Sequence, residues 1–284
     1  MGAHRYTLLD VFTATPLEGN ALAVVHDADA LDPATMLAFA RETRLSETTF
    51  VQRSFVAGAD YRNRIWTVER ELPFAGHPSL GTAVAIARSQ GVREGARYVQ
   101  ETQAGLQPID VRLDGDRAYA SMLQEPVVHG PVLERSAVLE AIGLTPEHAD
   151  PRLPPQVVAA GVPQLLVPLR DLEALTRARP DYGAIAGLLG AHGALTLYAA
   201  VCDPAAGRAR ARSFVSAAVG EDPATGSAAG PLCAYLAARA GCERVTIAQG
   251  IELGRPSRLE AAMEGERPRV GGEVVAVIDG TVRI

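Results

Sequence analysis

The 284-residue sequence contains no lysine, so all 27 of its basic residues are arginines. We interpret this as a compositional bias and not as the mark of a site. Against 33 acidic residues, the formal net charge is −6 and the isoelectric point is near 5.6. Proteins that bind nucleic acid or anionic membranes through charge carry an excess of basic residues. The sequence therefore predicts neither nucleic acid nor a membrane as a partner.

Cysteines and long apolar runs are also scarce. The three cysteines are Cys202, Cys233 and Cys242, and their odd number and spacing fit neither a disulfide framework nor a zinc site. We expect them to be small buried residues in a reducing compartment. No apolar run approaches the length that spans a membrane, and the first residues lack the apolar core of a signal peptide. These features predict a soluble, cytoplasmic protein.

The common sequence signatures of cofactor and metal enzymes are missing as well. No GxGxxG follows a strand pattern, and there is no GxxxxGK[ST], HExxH or GxSxG. The usual nucleotide fingerprints, the zinc-protease helix and the serine-hydrolase turn are therefore excluded. The chemistry that remains is acid–base catalysis on a small anionic substrate, without a cofactor or metal.

What the sequence does contain is one pattern that occurs twice. Glu221–Ala229 reads EDPATGSAA and stands between a strand-like run and an apolar helical run. Glu71–Ala83 reads ELPFAGHPSLGTA and has the same plan. Free backbone N–H groups and the helix dipole make a helix start an anion site. Two such starts suggest two similar halves that share one site.

Three residues near these stretches are candidates for proton chemistry. Glu47 lies in a polar break, Leu45–Thr48, just before an apolar strand; the alternative is a solvated glutamate in a turn. His77 begins a buried helix, where a capping or purely structural histidine is equally common. Asp222 stands at the second helix start, where it can also serve as an N-cap.

The residues around the second helix start suggest how a ligand is held. Thr225 and Ser227 can cap the helix or bind the ligand, and Gly76 and Gly226 let backbone N–H groups approach an anion closely. Pro231 conflicts with a helix that Thr225 caps, because a proline beyond the first turn costs about 3 kcal/mol. The sequence thus predicts either a later start, nearer Ser227, or a bent helix.

The order of the elements predicts an α+β fold. Each half carries several antiparallel-looking strands, a peripheral helix and one helix that is apolar on all sides, such as Leu80–Ala87. An all-apolar helix is normally surrounded by other elements. Gln124–Pro131 is the best candidate for a boundary between the halves, and the DGD at Asp114–Asp116 is typical of a hairpin turn.

Five motifs together resemble the PhzF family, the phenazine-biosynthesis isomerases and their relatives, over nearly the whole chain. The motifs are PLEGN (Pro16–Asn20), LSETTFV (Leu45–Val51), ELPFAGHPSLGTA (Glu71–Ala83), EDPATGSAAGPL (Glu221–Leu232) and QGxExGRPS (Gln249–Ser257). Pro231 belongs to the family pattern.

The resemblance implies a diaminopimelate epimerase-like fold. Two pseudo-symmetric domains each wrap a barrel-like sheet around a central helix, with the active site in the cleft between them. The expected N-terminal domain is residues 1–124, joined by the last strand at about 274–284, and the C-terminal domain is residues 125–273. Members of the family are typically homodimers.

The resemblance also implies a reaction. The PhzF isomerase moves a proton from C3 to C1 of trans-2,3-dihydro-3-hydroxyanthranilate without a cofactor, and the glutamate matching Glu47 is its proton shuttle. His77, Asp222 and Ser227 match its other site positions, with Gly76 and Gly226 beside them. A glutamate enclosed by an apolar cleft is expected to have a pKa raised toward neutrality, which suits it to take and return a proton.

Two other functions remain open. Amino-acid or hydroxy-acid epimerases and racemases of this fold use two opposed cysteines, whose places fall near Ala75 and Ala224, so the sequence disfavours this chemistry. A non-catalytic protein that binds a small metabolite is the other alternative. The presence of Glu47, His77 and Asp222 counts against it.

Overall fold

The computed structural model describes residues 2–115 and 117–284. The chain divides into two units: the described residues up to Met122 together with Gly271–Ile284, and Leu123–Val270. Within the described residues, no helix has both the length and the apolar character needed to cross a membrane.

The first unit is built mainly of strands, with two α-helices. Its helices are α1 (Pro33–Thr43) and α2 (Gly76–Ser89). Its strands are β1 (Ala3–Val11), β2 (Asn20–Val25), β3 (Glu47–Gln52), β4 (Tyr61–Trp66), β5 (Glu71–Leu72), β6 (Gly95–Thr102), β7 (Gly105–Asp114), β8 (Arg117–Leu123) and the end of β17 (Arg267–Arg283).

Eight of these strands close a ring in the described part of the chain. In ring order they are β17, β1, β2, β3, β4, β6, β7 and β8, and β8 pairs back with β17. The pairs β2–β3 and β4–β6 are parallel, and the pairs β1–β17, β1–β2, β3–β4, β6–β7 and β7–β8 are antiparallel. A closed sheet has no exposed edge strand, and its inward face needs an apolar filling.

Helix α2 provides that filling. Every residue from Gly76 to Ala87 is buried, and the helix contacts β1, β2, β3, β4, β6 and β7. Gly81 allows the close approach, because a Cβ there would lie 2.6 Å from a side-chain atom of Leu22 and 2.9 Å from one of Val11. The many Ala and Gly residues of α2 thus let a narrow helix fit inside the ring. The prediction of a helix enclosed by strands is confirmed.

The second unit has four α-helices and eight further strands, together with the start of β17. The helices are α3 (Arg135–Glu140), α4 (Leu172–Arg177), α5 (Tyr182–His192) and α6 (Gly226–Ala240), and short 3₁₀ turns occupy Pro146–His148 and Ile251–Leu253. The strands are β9 (Val128–Val132), β10 (Gln156–Ala159), β11 (Pro163–Leu169), β12 (Leu197–Asp203), β13 (Arg208–Ser216), β14 (Gly220–Asp222), β15 (Arg244–Gln249) and β16 (Ser257–Glu264).

The strand pairing of the second unit repeats that of the first. The sheet runs β9–β10–β11–β12–β13–β15–β16, with parallel pairs β11–β12 and β13–β15. In each parallel pair, helices connect the first strand to the second. Outer helices connect β11 to β12 and α6 connects β13 to β15, as α1 connects β2 to β3 and α2 connects β4 to β6. A short strand precedes each central helix, β5 before α2 and β14 before α6. The two units are therefore pseudo-symmetric.

The outer helices cover the outward faces of the sheets. In the first unit, α1 packs Met36 and Ala40 against Phe50 and Trp66. Asp32 caps α1 and Pro33 is its first residue. In the second unit, α3, α4 and α5 bury an apolar cluster against β11, β12 and β13. The opposite side of each sheet is thus left to the central helix, α2 in the first unit and α6 in the second.

The structure bears on three local expectations. Glu47 and Thr48, predicted in a polar break, belong to β3, because alternate residues of that strand face opposite sides of the sheet. The stretch Gln124–Pro131 contains most of β9, whose exposed valines pair with β10. The predicted turn at Asp114–Asp116 falls partly outside the description, since Asp116 is not among the described residues.

Candidate active site

The alternation of β3 directs Glu47 toward the central helix. Glu47 and Thr49 share one face of the strand, and the Thr49 hydroxyl bonds the Thr82 hydroxyl of α2 at 2.9 Å. Thr48 and Phe50 point the other way, where Phe50 packs against α1. The strand therefore presents Glu47 to the start of α2.

His77, the second residue of α2, meets Glu47 there. Its Nε2 atom lies 3.4 Å from Glu47 Oε2, and the exposed fractions of the two side chains are 6% and 17%. The Asn20 amide nitrogen can only donate, so its 3.3 Å contact with His77 Nδ1 makes Nδ1 the acceptor and leaves the ring proton on Nε2. The Nε2–H of His77 thus lies beside the Glu47 carboxylate.

His77 is a neutral residue at ordinary pH. Burial lowers the pKa of its imidazole to about 3, because the charged ring would lose its hydration. The 3.4 Å contact with Glu47 is therefore not an ion pair, and no hydrogen bond to Nε2 is formed among the described residues. A buried N–H beside a partly exposed carboxylate can donate to a substrate or to that carboxylate.

The start of α2 has backbone donors that no side chain caps. The N-cap residue is Ala75, which has no polar group, and the first helical N–H to bond back is that of Ser79, to the Ala75 carbonyl. Pro78 has no N–H, so the donors of the first turn are those of Gly76 and His77. The start of α2 therefore has the properties of an anion site, as the sequence predicts.

The start of α6 is organised by Asp222 and Thr225. Thr225 is the N-cap residue, but its side chain does not cap the helix. Its hydroxyl instead contacts Asp222 Oδ2 at 2.6 Å and Gln249 Nε2 at 3.0 Å. The alternative of capping by Thr225 is therefore wrong, and so is the alternative of Asp222 as the N-cap. Both side chains are turned toward each other before the helix begins.

Ser227 occupies in α6 the place that His77 occupies in α2. Gln164 Nε2 donates to the Ser227 hydroxyl at 3.3 Å, and Thr196 donates to Gln164 Oε1 at 2.7 Å. The carbonyl of Gly226 accepts from Gln124 Nε2 at 2.9 Å. Each central helix thus has a polar second residue that an amide side chain orients, Asn20 for His77 and Gln164 for Ser227.

Helix α6 begins at Gly226 and continues through Pro231. The start predicted nearer Ser227 is thus off by one residue. The proline lacks the N–H that would bond the Ser227 carbonyl four residues earlier. The Ser227 carbonyl is consequently freed from the usual helical hydrogen bond at the site itself.

A bidentate ion pair fixes the strand before each central helix. Arg64 donates two hydrogen bonds of 2.7 Å to the Glu71 carboxylate, and Arg212 donates two of 2.9 Å and 2.7 Å to the Glu221 carboxylate. Arg212 also donates to two backbone carbonyls at the end of α4. Paired guanidinium and carboxylate planes have little freedom, so both helix starts are approached by rigid strands.

The described residues contain no cluster of three or more metal-ligating side chains. A cavity of about 400 Å³ in the first unit is lined by Arg5, His26 and Arg88, at the end of α2 remote from its start. It contains neither Glu47 nor His77, so it is separate from the candidate site.

Several site residues were not predicted. Asn20 and Gln249 stand inside the quoted motifs without a role, and Gln164 and Tyr198 carry no sequence signal beyond polar groups in apolar strands. The signal that could have identified them is a polar residue at the beginning or end of an otherwise apolar strand, because a buried polar group needs hydrogen-bond partners.

Comparison with known proteins shows the family of the chain. The family model for phenazine biosynthesis-like proteins matches residues 9–280. A trans-2,3-dihydro-3-hydroxyanthranilate isomerase from Pseudomonas fluorescens is 38% identical, and the alignment covers 98% of this chain and 99% of the relative. An uncharacterised isomerase from Mesorhizobium japonicum is 36% identical over the full length of both proteins.

Solved structures agree with this assignment. A predicted epimerase from Pseudomonas aeruginosa superposes with a TM-score of 0.87 at 35% identity, covering 98% of this chain and 99% of that one. A hydroxyproline epimerase from Agrobacterium vitis, at 15% identity and a TM-score of 0.69, covers 99% of this chain and 91% of that one and shares the fold alone. The diaminopimelate epimerase-like fold is therefore confirmed, and the chain belongs to the PhzF family of phenazine biosynthesis-like proteins.

Proposed function

We propose that the protein is a cofactor-independent isomerase that shifts a proton within a small unsaturated carboxylate. The substrate is trans-2,3-dihydro-3-hydroxyanthranilate or a related compound, and Glu47 is the general acid and base. The observation that carries the proposal is the placement of a partly exposed carboxylate, Glu47, against a buried neutral imidazole, His77, at an uncapped helix start. Relatives named as isomerases of this compound support the substrate class.

The neutrality of His77 defines what each group does. A cationic histidine would hold Glu47 permanently as its partner and weaken it as a base. A neutral imidazole donates its Nε2–H without that charge and can stabilise negative charge that develops on the substrate. Glu47 then takes a proton from one carbon and returns it to another carbon on the same face. One carboxylate suffices for such a shift.

The starts of the central helices supply the binding groups in this proposal. Backbone N–H groups of Gly76, Gly226 and Ser227, with the Ser227 hydroxyl, are suited to a substrate carboxylate, whereas Thr225 contributes through the bond of its hydroxyl to Asp222. Asp222 supplies a second carboxyl for the amino or hydroxyl groups of the ring.

Epimerisation by two thiols has less support. Ala75 and Ala224 stand at the two helix starts, where that chemistry needs cysteines. Burial raises the pKa of both Cys202 and Cys233 to about 12, so neither thiol is a ready base at neutral pH.

Turnover of the named substrate tests the proposal. The wild-type protein, Glu47→Gln and the control Glu42→Gln are each incubated with trans-2,3-dihydro-3-hydroxyanthranilate and followed by NMR and ultraviolet absorbance. Glu42 is an exposed glutamate of α1, close to Glu47 in the chain. We expect turnover by wild type and Glu42→Gln and a loss of at least about 1,000-fold in Glu47→Gln. Full activity of Glu47→Gln would overturn the assignment of the base. Tight binding of the compound without proton exchange would favour a non-catalytic binding protein.

A further inference from the structure

The side chain of a buried glutamine, Gln249, forms hydrogen bonds with the residues that precede α6. Gln249 is the last residue of β15 and has no exposed surface. Its side chain amide has two donor hydrogens and an oxygen that accepts two hydrogen bonds. All four positions are used by residues of the second unit. We call this set of bonds the Gln249 network; its members are Gln249, Tyr198, Thr225 and Asp222.

The bonds fix the orientation of the amide. Nε2 donates to the Asp222 carbonyl at 2.8 Å and to Thr225 Oγ1 at 3.0 Å. Oε1 accepts from the Tyr198 hydroxyl at 2.8 Å and from the Thr225 N–H at 3.2 Å. Turning the amide over would set its oxygen against the Asp222 carbonyl and its nitrogen against the Thr225 N–H. Only one orientation satisfies every atom.

The orientation of the amide also sets the direction of the next bond. Thr225 Oγ1 accepts from Gln249, so its single proton is available to donate to Asp222 Oδ2, 2.6 Å away. This short contact is typical of a hydroxyl that donates to a carboxylate. The chain of donation runs from Gln249 to Thr225 to Asp222, and Asp222 Oδ2 is held as an acceptor.

Burial keeps the anchor of the network in one protonation state. The Tyr198 ring is fully buried, and burial raises the pKa of its hydroxyl well above the usual range. Tyr198 therefore remains a donor to Gln249 Oε1 at neutral pH. A fixed donor at this end prevents the amide from rotating.

The first unit shows that this arrangement is not simply required by the fold. Gln100 is likewise a fully buried glutamine in the strand that follows the central helix. Its Nε2 donates to the Ser79 hydroxyl, within α2, and its Oε1 accepts from Asn63. Among the described residues, it makes no bond to those that precede α2. Of these two glutamines, only Gln249 bonds both the backbone and the hydroxyl that position a candidate site carboxylate.

We propose that Gln249 is a positioning residue that orients Asp222 for the reaction. It holds the Asp222 backbone through Nε2 and commits the Thr225 hydroxyl to Asp222 Oδ2, while Tyr198 fixes the amide. This inference rests on the proposed function, in which Asp222 contacts the substrate.

Three variants of the full-length protein test the inference. Gln249→Glu keeps the shape and the accepting oxygen but, even when protonated, can make only one of the two donations. Gln249→Met removes all four bonds. The control is Gln156→Met, a buried glutamine of the same unit that bonds the Gly130 carbonyl and Arg239, away from the start of α6.

We expect Gln249→Glu to lower kcat by about five- to tenfold and Gln249→Met, which loses both donations, by about 25- to a hundred-fold, while KM changes less than about threefold, since each lost hydrogen bond is worth roughly five- to tenfold. Gln156→Met should keep wild-type kcat. The inference is overturned if Gln249→Glu stays within about threefold of wild type, or if Gln156→Met loses as much kcat as the Gln249 variants.

A measurement that needs no substrate separates this inference from the proposed function. The Thr225 amide is buried and bonded to Gln249 Oε1, so its hydrogen exchange in NMR should be slow. We expect its exchange to accelerate at least about tenfold in Gln249→Met and to stay slow in Gln249→Glu and Gln156→Met. Equal exchange in Gln249→Met and wild type would refute the positioning role, whether or not the protein isomerises the named compound. Tyr198→Phe, which keeps the ring, should accelerate exchange by a smaller factor.

Discussion

The buried neutral histidine at the candidate site has a consequence for stability that can be measured without a substrate. The pKa of His77 is about 3 in the folded protein, against 6.5 for an unperturbed histidine. The unfolded chain therefore binds a proton on this ring at a pH at which the folded chain does not. The His77 contribution to stability is complete above pH about 6.5 and is lost as the pH falls toward 3.

The size of the effect follows from this difference in pKa. Each pH unit between the two values is worth about 1.4 kcal/mol, so protonation of the unfolded chain costs about 2 kcal/mol of stability at pH 5 relative to pH 8. The other histidines add their own dependence on pH. Comparison of the wild-type protein with His77→Gln removes that background, because the variant differs only in the ring.

The assay is urea unfolding at pH 8 and at pH 5, followed by tryptophan fluorescence. Trp66 is the single tryptophan and is buried in the unit that carries His77, so its signal reports the unfolding of that unit. The loss of stability on acidification should be about 2 kcal/mol larger in wild type than in His77→Gln. His129 is an exposed histidine of β9, so His129→Gln is the matched control for replacing a histidine by glutamine.

One result would refute this reasoning. If wild type and His77→Gln lose the same stability on acidification, the folded protein accepts a proton on His77. The 3.4 Å contact with Glu47 would then be an ion pair that offsets burial, and His77 could not be the neutral donor of the proposed mechanism.

Three further predictions concern stability and reactivity. Arg212→Met should lower the free energy of unfolding in urea by about 3 kcal/mol or more, because it leaves the buried Glu221 carboxylate unpaired. The double variant Arg212→Met/Glu221→Met should recover part of this loss. Equal stability of Arg212→Met and wild type would contradict the prediction. Cys202, whose pKa burial raises to about 12, should resist iodoacetamide at pH 8 until urea is added; modification of the native protein would contradict its burial. Gly81→Ala should lower the free energy of unfolding by about 1–3 kcal/mol, because the added methyl group would lie as close as 2.6 Å to a neighbouring side chain. Gly187→Ala in α5, with open space around it, should cause no such loss. Unchanged stability of Gly81→Ala would disprove the tight fit of α2.

Much of the fold could be predicted from the sequence because the central helices have an unusual composition. An all-apolar helix rich in Ala and Gly, such as α2, has no solvent-facing side and must be enclosed. The repeated pattern at Glu71–Ala83 and Glu221–Ala229 indicated two similar halves. The closure of the ring could not be predicted in this way, because pairing of β17 with β1 joins residues at opposite ends of the chain.

The candidate site was predicted less completely than the fold. Glu47 and His77 were identified by motif, and the structure brings them within 3.4 Å. Asp222 and Thr225 also lie together, but the capping roles suggested for them were wrong. The sequence shows that Gln249 ends an apolar strand, yet its four hydrogen bonds depend on loops whose paths follow from tertiary packing. The homodimer implied by the resemblance stays a prediction.

The most direct test of the central claim is the fate of the transferred proton. Wild-type protein and Glu47→Gln are incubated with trans-2,3-dihydro-3-hydroxyanthranilate in deuterated buffer, and the label in product and remaining substrate is located by NMR. We expect wild-type turnover with the transferred proton at C1, deuterated only as far as the Glu47 carboxyl exchanges with the buffer before it returns the proton, and no turnover by Glu47→Gln. Label at a single ring carbon together with conversion of the trans substrate into its cis isomer would contradict it and show an epimerase instead.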